Sequence, residues 1–396
     1  MSTPSPLPSA APESVGFSSS RLEHLKLALN GEIERQKLPG AVLTITRRGK
    51  LVFFESLGKL DPAGGVPMTR DAIFRIYSMT KPIVSVALMM LVEQGKLLLT
   101  NPVAAYIPEF AALKVAVEKD GVTDNVPLER PITVHDLLRH TAGFTYQFMG
   151  VSDLHQQYAT AGLFARGLSN PDFVKALAQI PLTRQPGTAW AYSHATDVVG
   201  HIVEIVSGKT LGAFLQDHIF GPLGMVDTAF HVPESQHHRI AEPFAKDPDA
   251  GVPISLFDVR TPFPHEMGGA GLASTAADYA RFMEMMLCGG ALGDVRIIGP
   301  KTVEQMTSDH LGTIPVSGEL LLPGHGFGLG FAVRSQTGVV PVAGSAGMYY
   351  WAGLAGTSFF IDPKEQLHAS LMIQQPGRRD YYRTLFRELV YAALVA

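Results

Sequence analysis

Ser78 stands three positions before Lys81 in the stretch FRIYSMTKPIVSVALMMLVEQG, residues Phe74 to Gly95. Positions i and i+3 share one face of a helix, so a hydroxyl and an amine would lie side by side. From Ile83 to Val92 the sequence is apolar nearly all round, which predicts a buried central helix. Pro82 suits the first turn of that helix, where its missing N–H breaks no bond. A lysine one turn into a core helix is costly unless it is paired or functional. Desolvation would pull its pKa down from about 10.4, as a base for a serine nucleophile requires. The competing reading is an ordinary helix cap beside an ordinary lysine, since serine is a favoured cap.

Two further stretches carry candidate chemistry. In AWAYSHATDVVG, Tyr192 lies in a loop and Ser193–His194 precede a helical pattern. A tyrosine beside a cation can relay protons; its plain alternative is a core-edge ring next to a serine cap. His194 alone suits a satisfied helix-start histidine better than a base. In GMYYWAGLAGTSFFIDP, Trp351-Ala352-Gly353 opens a strand-like run. Glycine in a strand marks close approach of another backbone or a ligand, and a strand edge can offer a backbone N–H as half of an oxyanion hole. The plain alternative is an aromatic core strand with a bend. Tyr77, Tyr146, Phe148, His325 and Phe327 are candidates for lining a pocket and equally for packing.

Other patterns fall away. AGSAG around Ser345 lacks the first glycine and the following helix of a nucleophile elbow. SGKT at Ser207–Thr210 lacks the upstream glycine of a phosphate loop. The fourteen histidines include no H-E-x-x-H, and His237–His238 suit a surface loop, so neither a metal nor any other cofactor is expected. Cys288, the one cysteine, excludes an intrachain disulfide and reads as a small buried hydrophobe.

The elements that must position these residues follow from periodicity. Ala41–Leu60 alternates around the polar turn RRGK and predicts a β-hairpin. Before it, SSSRLEHLKLALNGEIERQKL has serine start signals and helical spacing at Leu22, Leu25, Leu27 and Leu29. From Leu99 to about Phe263 strand signals nearly vanish, and helical patterns (TVHDLLRH, PDFVKALAQI, SHATDVVGHIVEIVSG, TLGAFLQDHIF) alternate with proline- and glycine-rich loops. A glycine loop and capped helix follow in GGAGLASTAADYARFMEMML. Strand texture then returns in GFGLGFAVRS, GVVPVAGSAG, YYWAGLAGTSFFIDP and LHASLMIQQP, and RRDYYRTLFRELVYAAL closes as a helix. The expected fold is α+β. Residues 21–98 and 265–396 would build an antiparallel sheet flanked by helices, residues 99–264 a mostly helical inserted domain, and residues 1–20 a loose arm.

The totals narrow the function class. With 396 residues, 46% apolar and 17% charged, the chain can bury a large core. A net charge of −4 supplies no basic field for nucleic acid or an anionic membrane. The N-terminal MSTPSPLPSA has no charged and apolar leader pattern, and the apolar run Pro82–Val92 is too short to span a bilayer, so a cytoplasmic protein is expected.

S-x-x-K before a core helix, a Y-x-S/N-type element some hundred residues on, and a strand motif near the C-terminus occur in this order in the penicillin-recognising serine enzymes. The chain resembles that superfamily along nearly its whole length, with MTRDAIFRIYSMTKP, GKLLLTNPVAAYIPEF, ITVHDLLRHTAGF and FGPLGM as supporting stretches. Within it the chain looks most like the family VIII carboxylesterases, which share the class C β-lactamase fold. The matching elements are Ser78–Lys81, Tyr192–His194 and Trp351–Gly353. The resemblance implies a β-lactamase/transpeptidase-like fold with the site in a cleft between sheet and helical domains. It also implies Ser78 as nucleophile, Lys81 and Tyr192 sharing the base and acid work, and the Ser78 and Leu354 amides as oxyanion hole. Two departures matter. Trp351 replaces the lysine of K-T-G, which removes a cation suited to a substrate carboxylate and favours neutral esters. His194 stands where asparagine is common, which changes the donor pattern offered to the acyl side. The expected activity is hydrolysis of small, short-chain neutral esters. A β-lactamase or D-alanyl-D-alanine peptidase, an acyltransferase to an alcohol, and a non-catalytic relative on the same fold are the alternatives.

Overall fold

The computed structural model describes residues 5–119, 122–165 and 167–396. Its centre follows from the two-residue period of a strand. Every residue of strand Gly40–Arg47 is buried, but its side chains divide between two cores. Ala41, Leu43 and Ile45 enter one apolar cluster, and Val42 the other. Strand Leu367–Gln374 divides in the same way, Leu367, Ala369, Leu371 and Ile373 going to the first and Met372 to the second. The two strands pair antiparallel from Ala41–Ile373 to Arg47–Leu367, which ties the two ends of the chain into one sheet. Where a polar pair interrupts the pattern, Thr44 and Ser370 share a hydroxyl hydrogen bond of 2.7 Å. An unpaired hydroxyl there would cost about 1–3 kcal/mol.

The sheet has eight strands in the order His325–Phe327, Ala332–Arg334, Tyr349–Ala352, Gly356–Asp362, Leu367–Gln374, Gly40–Arg47, Lys50–Asp61 and Val66–Pro67. All neighbours are antiparallel. The N-terminal hairpin turns at Arg48-Gly49, both at positive φ (52° and 70°), as a two-residue I′ loop demands. One face is covered by helices Ser19–Glu34 and Arg379–Ala392 through Leu22, Leu25, Leu29, Tyr382, Phe386 and Val390. Leu27 does not belong with them. It is 65% exposed, because two residues from Leu25 is about 200° around the helix. The other face meets helix Ala276–Leu287, with Tyr279 against Phe359 at 5.1 Å between ring centroids.

Between Pro67 and His325 the regular elements of the described chain are mainly helices, separated by long irregular segments. Helices at Thr80–Glu93, Val134–Leu138, Asn170–Leu177, Ala195–Ser207 and Leu211–Leu215 match the patterns expected. Thr133 and Ser169 close capping boxes with Asp136 and Asp172. No single helix among the described residues is long and apolar enough to cross a membrane.

Several expectations are corrected. The region from Leu99 holds a hairpin, Lys114–Lys119 with Val122–Pro127; its alternation is short and partly charged, so it carried a weak strand signal. GVVPVAGSAG forms a loop. Gly344 and Gly347 have φ of 142° and 88°, and the Arg334 side chain takes the carbonyl of Val342 at 2.7 Å, an acceptor a ladder would need. The arm from Ser5 is anchored where a loose segment was expected. Leu51 N–H donates to Pro8 O at 2.8 Å, Arg47 reaches Val15 O at 2.8 Å, and Phe17 is fully buried. Cys288, expected inside, is exposed at the end of helix Ala276–Leu287, its Sγ 3.2 Å from Glu284 Oε1.

Candidate active site

The site begins in a turn. Strand Ile73–Arg75 pairs with Ala273–Thr275 and runs into a 3₁₀ turn at Tyr77–Met79, after which helix Thr80–Glu93 starts. Met79 occupies the cap position and no side chain caps the helix. Ser78 is therefore not a helix cap, which removes the plain reading of the motif. The residue before it, Tyr77, has φ of 45°, a conformation that costs a side-chain-bearing residue about 1–3 kcal/mol and persists only where neighbours enforce it. Here the Tyr77 hydroxyl accepts the Phe257 N–H at 2.8 Å, and the two rings stack at 4.9 Å. Tyr279 holds the far side of the turn, donating to Met79 O at 2.9 Å.

Lys81 is completely buried. Its Nζ lies 2.7 Å from Gly269 O, 3.1 Å from Tyr146 Oη and 3.4 Å from Ser78 Oγ. It also faces the rings of Tyr192 and Tyr146, at 4.6 and 5.3 Å from their centroids. A bare buried amine would be prohibitive; three polar partners and two ring faces offset that cost. The Gly269 carbonyl is aimed from behind, since Gly269 N–H donates to Asp197 Oδ1 at 2.7 Å. A Cβ on Gly269 would fall 2.8 Å from Asp197 Oδ2, so the glycine loop admits no larger residue. Asp197 Oδ2 is 3.2 Å from His194 Nδ1.

These buried groups shift one another. Burial opposes ionisation of Asp197, yet the His194 hydrogen bond and the fields of His194, His265 and Lys81 hold its carboxyl below the usual range. Burial keeps His194 neutral. Burial, then the Lys81 charge, push His140 well below its ordinary value. Burial, then the fields of Asp197 and Tyr192, raise the Tyr146 phenol well above 10 and so keep it protonated.

The phenol that touches Lys81 is thus Tyr146, which sequence reading assigned to substrate contacts. Tyr192 presents its ring to the lysine, and its hydroxyl accepts the Trp351 indole N–H at 3.3 Å. No hydrogen bond joins Tyr192 to Lys81 or Ser78 among the described residues. Trp351, 6% exposed, stands edge-on to Phe327 at 5.3 Å. Gly353 is a true close approach: a Cβ would lie 2.4 Å from Ile76 O and 2.3 Å from Thr357 Oγ1. The turn after Trp351 is therefore pressed against the residue two before Ser78, and Leu354 sits in that turn, 43% exposed.

Of the other aromatic candidates, Phe148 is exposed and stacks on Tyr146 at 4.9 Å. Phe327 backs Trp351, and His325 packs on the edge of Tyr350, outside the cluster. Sequence reading missed Asp197, Gly269 and Phe257. Asp197 had a signal, three residues after His194 at the start of a helix; Phe257 had none. With Phe164, Phe263, His265 and Met267, Phe257 lines a hollow beside Tyr77 and His194. Among the described residues no three His, Cys, Asp or Glu side chains gather as a metal site.

Comparison with known proteins agrees with this architecture. The β-lactamase family model matches residues 25–393. Protein Rv1367c of Mycobacterium tuberculosis is 36% identical, covering 85% of this chain and 86% of its own. Esterase EstB of Burkholderia gladioli is 30% identical, covering 94% and 96%. Among solved structures EstCE1, described as a hydrolase with promiscuous acyltransferase activity, superposes with a TM-score of 0.80 at 26% identity, covering 94% of this chain and 98% of that one. The chain belongs to the β-lactamase family, in the branch of the family VIII carboxylesterases.

Proposed function

We propose that the protein is a serine carboxylesterase that hydrolyses small neutral esters through an acyl-enzyme on Ser78. The observation that carries the reading is the fully buried Lys81 Nζ at 3.4 Å from Ser78 Oγ. To act as the base the amine must first give up its charge; its two remaining N–H groups then go to Gly269 O and Tyr146 Oη, leaving a lone pair for the serine proton.

Ser78 gives its proton to Lys81 as Oγ bonds to the ester carbonyl carbon. The carbonyl π pair moves to oxygen, where the Ser78 and Leu354 amides receive it. Collapse breaks the bond to the alkoxide, which leaves with the proton that Ser78 gave up, returned by the Lys81–Tyr192 pair. Water then repeats the sequence on the acyl-enzyme, releasing the carboxylic acid and restoring Ser78. The cleft would lie between residues 21–98 with 265–396 on one side and 99–264 on the other. Trp351, in place of a cation, and the aromatic hollow around Phe257 favour an uncharged, apolar substrate group. A panel of p-nitrophenyl esters of rising chain length, run beside nitrocefin on wild type and Ser78→Ala, tests the reading. Nitrocefin turnover above ester turnover would favour a β-lactamase or peptidase.

A second reading, acyl transfer to an alcohol, is favoured by the description of EstCE1. Adding an alcohol acceptor and measuring the transester product against free acid separates the two.

A further inference from the structure

The carbonyl of Gly353 is held twice. The Gly356 N–H donates to it at 3.0 Å, and the Arg383 guanidinium reaches it through Nη2. Arg383 comes from helix Arg379–Ala392, which covers the face of the sheet carrying the terminal helices. Its side chain is 20% exposed, and its one carboxylate partner among the described residues, Asp380 at 2.9 Å, is 81% exposed. Among the described residues its Nε has no hydrogen-bond partner. The guanidinium is therefore mostly desolvated while its counter-charge sits in water. Burial pushes its pKa down to about 10, which leaves it charged at neutral pH. As a stabilising ion pair this is a poor arrangement.

The arrangement makes sense through the peptide it grips. Gly353 C=O and Leu354 N–H belong to one planar unit, and no peptide bond among the described residues is cis. In a trans peptide the two groups point in opposite directions. With the carbonyl turned to Arg383, the Leu354 N–H points away from the guanidinium. Among the described residues no acceptor takes it. The same turn is pressed on Ile76 O, two residues before Ser78. A cation on a carbonyl also polarises the peptide and strengthens the donor at its other end.

We infer that Arg383 is a positioning residue that fixes and polarises the Gly353–Leu354 peptide, so that the Leu354 N–H meets the oxyanion formed at Ser78. This rests on the reading of Ser78 as nucleophile. It extends the site to a cation on helix Arg379–Ala392, close enough to Tyr192 for the two to feel each other's field.

The test uses the full chain with Arg383→Met, Arg383→Gln, Arg383→Lys and Arg383→Ala, assayed on p-nitrophenyl acetate and its thiono analogue. Sulfur is a larger, weaker acceptor, so an intact oxyanion hole prefers the oxygen ester. In Arg383→Met, kcat should fall about 10- to 100-fold with KM within about twofold, because the contact acts in the transition state. The oxygen-over-sulfur preference should shrink, and guanidinium ion should restore part of kcat in Arg383→Ala. Full kcat, or a changed KM with the oxygen-over-sulfur preference intact, overturns the role. Should the Met and Ala variants lose their fold by circular dichroism, Arg383→Gln decides. It keeps an N–H donor but not the charge, so a narrowed preference supports the role and an unchanged one overturns it, while Arg383→Lys, which keeps the charge, should hold the preference of wild type. Fluorophosphonate labelling of wild type separates the two readings. No label on Ser78 refutes the nucleophile and this inference together, whereas a labelled Ser78 with fully active Arg383 variants refutes Arg383 alone.

Discussion

The two walls of the site are built on opposite principles. The helix wall, Ser78 to Lys81 with Tyr146 and Asp197, is made of side chains whose polar atoms are satisfied in the interior by one another and by the Gly269 backbone. The sheet wall, Trp351 to Leu354, offers an indole and a backbone turn, fixed by Thr357, Gly356 and Arg383. On the proposed function, one wall would move protons and the other receive charge. Failure of the first should remove the reaction; damage to the second should change how well and on what it works.

Replacing Lys81 is the largest expected break within the helix wall. In Lys81→Met, kcat for a p-nitrophenyl ester should drop about 10²- to 10⁴-fold, the range of a lost general base, with KM little changed. Steady-state kinetics on folded protein check this, and full activity would leave Ser78 without its proton acceptor.

The two phenols sharpen the comparison further. Tyr146 touches Lys81, and Tyr192 touches the sheet wall through Trp351. If Tyr192 supplies the leaving-group proton, Tyr192→Phe should cost about 10²-fold in kcat on poor leaving groups and less on p-nitrophenyl esters. Tyr146→Phe should cost about tenfold irrespective of leaving group, since it loses one hydrogen bond to the amine. A reversal of the leaving-group dependence would move the acid role to Tyr146.

On the sheet wall, Trp351→Lys should shift selectivity more than rate. The ratio of turnover on a carboxylate-bearing substrate to that on a neutral ester should rise about tenfold, one charge-assisted hydrogen bond. Competition kinetics on the two substrates would show it, and an unchanged ratio would separate neutral-ester preference from this position.

The smallest effect is on stability. His135 is held at about 4 against an ordinary value of 6.5, chiefly by burial and then by Arg139; His140 and His194 are also lowered. For a histidine depressed in the folded state, the unfolded chain binds more protons below 6.5. Stability should therefore be full above that pH and decline as pH falls from 6.5 to about 4, flattening below for His135. Urea denaturation across that window measures the slope; a rise in stability on acidification would contradict it.

The same division explains what was legible in the sequence. The helix wall announces itself through residue types: a lysine in an apolar helix, a serine one turn away, a tyrosine before a helix start. The hairpin at Gly40–Asp61 and the terminal helices were equally readable, because each keeps one period throughout: the helices turn one face to the sheet, and alternate residues of the first strand enter two cores. The sheet wall works through backbone and through distant side chains. Trp351–Gly353 could be picked out, but nothing near it in sequence points to Arg383, thirty residues on in a helix of its own. Phe257 was hidden for the same reason: it lies in an irregular segment and acts by propping Tyr77, whose strained φ has no sequence mark. Tyr146 was placed with the substrate contacts because its loop gives no hint that its hydroxyl turns towards Lys81.

The central claim is that Ser78 alone carries the acyl group, activated by the buried amine beside it. Intact-protein and peptide mass spectrometry after fluorophosphonate treatment tests it most directly. One adduct per chain is expected, on the peptide containing Ser78, absent in Ser78→Ala and formed much more slowly in Lys81→Met. An adduct on another serine, or undiminished labelling in Ser78→Ala, would contradict the account.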